Sequence, residues 1–271
     1  MTAYFDTNVI RYLGQGLAGQ NLPQHLRERI VLSTVSAIEL VSQIAVAPQE
    51  ALTAIHAFEN WLDTAHAVLL DWSETFVANH VFRLAQNDGV FHLLQEVLGV
   101  CLRTERPNAP LIADAQRLRT FNENSKQQKA QLFRNAATAL RQRALRQPQL
   151  RGILPNTITQ GLRIKYCQQA APITNAEIEA ALGAYIEFHA DLVERAVNRA
   201  GYNFFSRDHL NDLFDAEQLA YLANPLLHFF TTDRGYRSVR VSAQRTRIHI
   251  VNVRDVRDPA RALAFLTASL A

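Results

Sequence analysis

Two carboxylates in this chain close strongly apolar runs, where a solvated-face explanation is weak. Asp6 follows Ala3-Tyr4-Phe5, and Asp233 lies just beyond Leu227-His228-Phe229-Phe230-Thr231. Two more lie in helix-like stretches: Glu39 in Ser33-Thr34-Val35-Ser36-Ala37-Ile38-Glu39-Leu40, and Asp215 in Asn211-Asp212-Leu213-Phe214-Asp215-Ala216. Taken singly, each has an ordinary explanation. Asp6 could close a strand as an Asx turn, and Ser36-x-x-Glu39 reads as a capping box. Asp212 or Asp215 would suit the positive end of a helix, and Asp233 before Arg234-Gly235 would suit a turn. Taken together they are expected to converge, because parallel sheets gather ligands beyond the carboxyl ends of their strands. Carboxylates meeting in one cleft repel by roughly a few kcal/mol per close pair, so the cluster requires protons or a cation. Hard oxygen ligands with neither Cys nor His beside them select Mg²⁺ or Mn²⁺. The chemistry expected of such an ion is phosphodiester hydrolysis.

The charge distribution agrees with a polyanionic partner. The net charge is only +3, but residues 103–165 hold 13 basic and three acidic side chains, against four and ten in residues 1–102. Of the 28 basic residues only three are Lys, and Arg is the better bidentate partner of phosphate. A solvated helix face is the plain reading of such a run, yet few acidic partners lie within the segment to neutralise it.

The elements that must position these groups read as an α/β protein. Buried strands are expected at 3–5, 29–32, 67–70, 227–231 and 247–251. The first three alternate with helices at about 9–19, 37–47 and 49–64, a pattern of βαβ units on a parallel sheet. From about 87 the texture becomes wholly helical. A long helix is expected over 111–146, broken by Pro148, Gly152 and Pro155, and another starts at the capping box Thr174-x-x-Glu177. A further helix is expected over about 212–223. This divides the chain into an α/β part, 1–86 plus 204–271, and a helical, Arg-rich insertion, 87–203. Apolar residues make up 48%, enough for a substantial core.

Tyr4-Phe5-Asp6-Thr7-Asn8-Val9-Ile10, the Glu39 and Asp215 stretches, and Phe230-Thr231-Thr232-Asp233-Arg234 together resemble the motifs of PIN-domain nucleases. The resemblance covers the two outer parts and not the insertion. It implies a three-layer α/β/α fold with a central parallel sheet, and a Mg²⁺- or Mn²⁺-dependent endoribonuclease. Its acidic ligands would be Asp6, Glu39, Asp215 and Asp233. Asp212, one turn before Asp215, is a secondary ligand or cap, and Asn8 and Thr232 support the cluster. RNA would then be gripped through its backbone by the insertion, at Lys129, Arg134, Arg141, Arg143 and Arg146. Many small members of the family are toxins, so a small protein antitoxin and a homo-oligomer stay open as partners.

Two other functions compete. A haloacid-dehalogenase-type phosphatase also begins with a strand-end Asp, but needs a second Asp where this chain has Asn8. A catalytically weak RNA-binding scaffold would bind RNA without cutting it. The histidines lack zinc spacing, with His228 and His249 expected to be packed within strands. No Gly-rich phosphate loop is present. Trp61 and Trp72 are expected in the core. The lone thiols Cys101 and Cys167, the plain N-terminus and the absence of a long apolar run predict a cytoplasmic protein with no membrane contact.

Overall fold

The computed structural model describes residues 1–17, 19–86, 89–143, 147–166, 173–199 and 201–271, with the backbone alone at 147, 148, 207 and 208. Arg146 and Cys167 lie outside the described residues. The fold is mixed helix and strand around a small parallel sheet. Strands β1 (Thr2–Phe5), β4 (Leu227–Thr231) and β5 (Ile248–Ile250) pair in the order β1–β4–β5, all parallel. Strands β2 (Leu32–Ser33) and β3 (Leu69–Leu70) form a second parallel pair. Ala3 joins the two: its amide donates to Arg29 O at 2.8 Å, and Val31 N donates to Ala3 O at 2.9 Å. The strand order is thus β3–β2–β1–β4–β5, and the direction of winding reverses between β1 and β4. Such a reversal opens a crevice at the carboxyl ends of the two strands. Asp6 and Asp233 stand there.

The strand regions are found where the apolar runs predict them, but shortened. Only Leu32–Ser33 and Leu69–Leu70 pair regularly in the second and third. Helix α1 (Thr7–Gly16) runs through Gly14 and ends at Gly16, short of the expected 19. A Cβ at position 16 would lie 2.4 Å from Val256 O and 2.7 Å from Ala262 Cβ, so Gly16 lets the C-terminal segment pack directly on this helix. Helix α2 (Thr34–Ser42) starts three residues earlier than expected. Its cap is Ser33, which accepts from Ser36 N at 3.1 Å, so Ser36 and Glu39 do not form the expected capping box. Helix α3 (Pro48–His56) begins with Pro at its first turn.

After α4 (Ser73–His80) come the long helices: α5 (Gly89–Arg103), α6 (Ala109–Gln142), α7 (Gln147–Tyr166) and α8 (Asn175–Asn198). The break expected at Gly152 and Pro155 is overturned, since both lie inside α7. Proline costs an interior hydrogen bond, but Leu150 and Leu154, in the turns before Pro155, bury against Ala190 and Val193 of α8. Tertiary packing outweighs the local preference. The capping box of α8 forms as its sequence implies, with Glu177 N donating to Thr174 Oγ1 at 3.2 Å and Thr174 N to Glu177 Oε2 at 2.8 Å. Helix α9 (Asp212–Gln218) runs on as a tight turn to Ala223, and α10 (Pro259–Leu270) ends the chain.

One apolar core runs through both sequence regions. It holds Tyr4, Phe5, Ile38, Phe229 and Phe230 together with Leu94, Leu111, Leu118, Phe188 and Leu192 of the helical segment. Trp61 and Trp72 are buried in it, as is Cys101, whose thiol burial pushes up to about 12. Among the described residues no helix is long and apolar enough to cross a membrane.

Candidate carboxylate site

Asp6 leaves β1 at the N-terminus of α1 and caps it, with Oδ1 accepting from Val9 N at 2.7 Å. Its Oδ2 accepts from the Thr231 hydroxyl and from Thr232 N at 3.3 Å, which binds the ends of β1 and β4 together. Asp6 is 8% exposed, and burial lifts its carboxyl from 3.8 to about 6 despite these three donors; the neighbouring Asp233 adds to the rise. Asp233 caps the turn after β4, accepting from Gly235 N at 2.7 Å.

Glu39, on α2, has both oxygens engaged. The Thr7 hydroxyl donates to Oε2 at 2.7 Å, and Lys126 Nζ donates to Oε1 at 2.9 Å. Asp215, on α9, differs from the others. Its carboxylate receives no hydrogen bond from any described residue, and it is pushed well above the ordinary carboxylate range. Burial is the main cause, followed by the charges of Glu39, Asp233, Asp212 and Asp6. The charges of the other three sequence-expected carboxylates thus act on Asp215, and Asp6 and Asp233 are linked through Thr231, whose hydroxyl donates to Asp6 and accepts from Asp233 N at 2.9 Å. Asp212 also contributes charge, but its side chain turns outward to accept from Tyr202 OH and pair with His209 Nδ1, both at 3.1 Å. The two helical neighbours thus differ in their partners: Asp212 has two, while the Asp215 carboxylate has none among the described residues.

A buried network holds the elements in place. Ser33 Oγ donates to Gln218 Oε1 at 2.9 Å, Gln218 Nε2 to Ser36 Oγ at 2.7 Å, and Ser36 Oγ to Phe5 O at 2.8 Å. Tyr4 OH donates to Gln218 O at 2.6 Å, and Tyr236 OH to Asp215 O at 2.8 Å. Strand β1, α2 and α9 are thereby fixed relative to one another, and with them Asp6, Glu39 and Asp215.

Several expected side chains do other work. Asn8 is exposed and makes no side-chain hydrogen bond with the described residues; the adjacent Thr7 orients Glu39 instead. Thr232 contributes its backbone N–H, while the hydroxyl on Asp6 belongs to Thr231. Lys129 is not presented to solvent. Its ammonium pairs with buried Glu217 at 2.6 Å and lies 3.6 Å from Glu74. Arg141 caps the end of α8 through the carbonyls of Ala196 and Arg199. Arg134 lies 5.8 Å from the Phe205 ring centre, and Arg143 is exposed. Arg117 and Arg119 pair within α6 with Asp114 and Glu123. Much of the cationic charge of the helical segment is thus neutralised, and the buried ammoniums of Lys126 and Lys129 pair with Glu39 and Glu217 of the α/β part. His228 and His249 stack across β4 and β5 with ring nitrogens 3.0 Å apart.

The donor chemistry suits a hard divalent ion, because Asp215 is rich in neighbouring negative charge and has no donor of its own. The spacing in this conformation does not close on an ion: among the described residues, no three His, Cys, Asp or Glu side chains stand close enough to hold one. Donors already occupy both oxygens of Glu39 and of Asp6. Lys126 and Asn211 are the site residues that motif reasoning missed. No protein-family model matches the chain, and no curated protein or solved structure matches it either.

Proposed function

We propose that this chain is a Mg²⁺- or Mn²⁺-dependent endonuclease of the PIN type, with a three-layer α/β/α core, that hydrolyses phosphodiester bonds in RNA. The observation that supports this reading most is at the reversal point of the parallel sheet: Asp6 and Asp233 stand at adjacent strand ends joined through Thr231, and Asp215 receives no donor from the described residues. Asp6, Glu39, Asp215 and Asp233 would hold the ion, with Asp212 behind them. An ion so held supplies an activated water and charge for the departing oxygen. The chain's own residues do the rest. Thr231 and the amides of Val9 and Thr232 fix the Asp6 carboxylate against rotation. Thr7 does the same for Glu39. Arg134 and Arg143 remain the named arginines for the RNA backbone, joined by Arg234 and Arg237, which line a hollow of about 260 Å³ beside Thr232. A cytoplasmic toxin with a small protein antitoxin is the corresponding biological role.

The test is cleavage of end-labelled RNA. Asp6→Asn, Glu39→Gln, Asp215→Asn and Asp233→Asn are each expected to cut the rate by at least about 100-fold, the scale of losing a group that stabilises transition-state charge. EDTA is expected to abolish cleavage and Ca²⁺ not to restore it. Full activity in a folded Asp215→Asn variant, or in EDTA, would remove this reading. RNA binding without cleavage would favour the scaffold.

A further inference from the structure

Helices α4, α6, α7 and α8 border a cavity of about 360 Å³ that none of the four candidate carboxylates lines. Val77, Phe133, Ile158, Leu162 and Val193 give it an apolar surface. Its exposed lining includes Leu132, at 67%, and Gly161. The charged side chains around it cancel: Lys129 pairs with Glu217 and Lys165 with Glu74, each at 2.6 Å. Lys126, one turn before Lys129, is committed elsewhere, donating to Glu39 and Asn211 at 2.9 Å each. An ion entering this cavity would have to break one of these pairs to find a counter-charge.

His189 gives the cavity its polar specificity. It is 4% exposed and lines the cavity on α8. Its Nδ1 stands 2.9 Å from Tyr185 O; a carbonyl only accepts, so Nδ1 carries the proton and donates. Burial lowers the ring to about 4, which keeps it neutral at pH 7. Nε2 is then a lone-pair acceptor, and no described residue donates to it. A buried acceptor left unpaired is costly, and a partner recovers that cost. The rings of Tyr185 and Phe133 lie 4.0 and 5.1 Å from the imidazole, centre to centre, a setting suited to an aromatic body.

We propose that this cavity is a binding site for a neutral, aromatic small molecule that donates one N–H or O–H to His189 Nε2. The site is separate from the carboxylates and independent of the nuclease reading. Indole and 1-methylindole are the probes, because they share a ring system and only indole has the N–H. Their affinities for the full-length protein are measured by saturation-transfer NMR titration. The wild type is expected to prefer indole about fivefold, the worth of one net hydrogen bond. His189→Phe keeps a ring and removes the acceptor, and is expected to bind the two probes equally. Gly161→Leu places a side chain at the opening, where an added Cβ meets nothing within 4 Å, and leucine favours the helix; it is expected to lose both probes. A single thermal transition checks that each variant is folded, and His189→Leu replaces His189→Phe should that variant not fold. No transfer to indole in the wild type would mean that water fills the cavity, and overturns the proposal. So does equal affinity of the wild type for both probes, a preference for indole that survives loss of the imidazole, or unchanged binding in folded Gly161→Leu.

Discussion

Asp215 is the residue at which the site and the fold pull in opposite directions. Its carboxyl is raised well above 3.8 by burial and by four neighbouring acids. A group whose folded value is raised leaves stability intact below its unfolded value and withdraws it as pH climbs through the folded value. Asp6, raised from 3.8 to about 6, acts in the same direction between those values. Asp215→Asn is therefore expected to stabilise the metal-free protein at neutral pH by ~1–2 kcal/mol, a usual scale for relieving a strained functional site. The corresponding rise in Tm is about 2–6 °C. The gain should vanish near pH 3–4, where the wild-type group is protonated, and shrink when Mg²⁺ is added. Calorimetry at pH 7.5 and pH 4 checks this, and equal Tm values at both would mean that Asp215 carries no penalty. The acids themselves were readable because charge at the end of a buried strand needs a reason. The hydroxyls that orient them belong to Thr7 and Thr231, each next in sequence to an expected supporting residue, Asn8 and Thr232, and Thr232 adds its backbone N–H to Asp6. Motif spacing names neighbours equally well, whereas only the backbone direction decides which of two adjacent side chains turns inward.

Helix α6 shows what sequence can yield at the scale of an element. Its buried stripe is Leu111, Ala115, Leu118, Asn122, Lys126, Ala130 and Ala137, recurring every three or four residues except for the last gap. The helix was legible from composition. The two polar residues on that stripe were the sign of a partner, because a lysine at a core-facing position has to meet an acid. Which acid could not be read, since Glu39 and Glu217 are tens of residues away on opposite sides in sequence. Lys129, one turn further, buries its ammonium on Glu217, which is 3% exposed and also accepts from Ser73 at 2.5 Å. Burial raises the Glu217 carboxyl, but the Lys129 ammonium, with the Ser73 hydroxyl, outweighs it and holds the group charged. Removing one partner of such a pair leaves an uncompensated buried charge, at a cost of about 3–5 kcal/mol. Lys129→Met is thus expected to destabilise by that amount, and Lys129→Met with Glu217→Gln to recover most of it. Urea unfolding of the two singles and the double measures the coupling. A Lys129→Met cost below about 1 kcal/mol would place this pair with ordinary surface ion pairs.

For the whole molecule the question is whether the helical segment is a module or part of the fold. The boundaries near 87 and 203 mark a true change of texture: from Gly89 to Asn198 the described residues carry only helices among their regular elements. Texture is local, however, and domain independence depends on where apolar surface goes. Leu94, Val97, Leu111, Ala115 and Leu118 bury in the same core as Ile38 and Phe58, and Phe188 stacks on Tyr236 with ring centres 5.2 Å apart. All three lysines of the chain reach across the same boundary, Lys126 to Glu39, Lys129 to Glu217 and Lys165 to Glu74. Excision would strip α2 and α9 of their cover and leave Glu39 and Glu217 without their cations. Each loss alone is of the order that removes several kcal/mol, against a total stability of about 5–15 kcal/mol. A chain in which residues 87–203 are replaced by a short Gly/Ser linker is therefore expected not to fold: it should lack a cooperative thermal transition and bind a hydrophobic dye. The intact protein should melt in a single transition that Lys129→Met lowers as a whole rather than splitting. A cooperative melt of the excised chain, with the near-ultraviolet signal of Trp61 and Trp72 retained, would show that the α/β part stands alone and that the shared core is an interface between two domains.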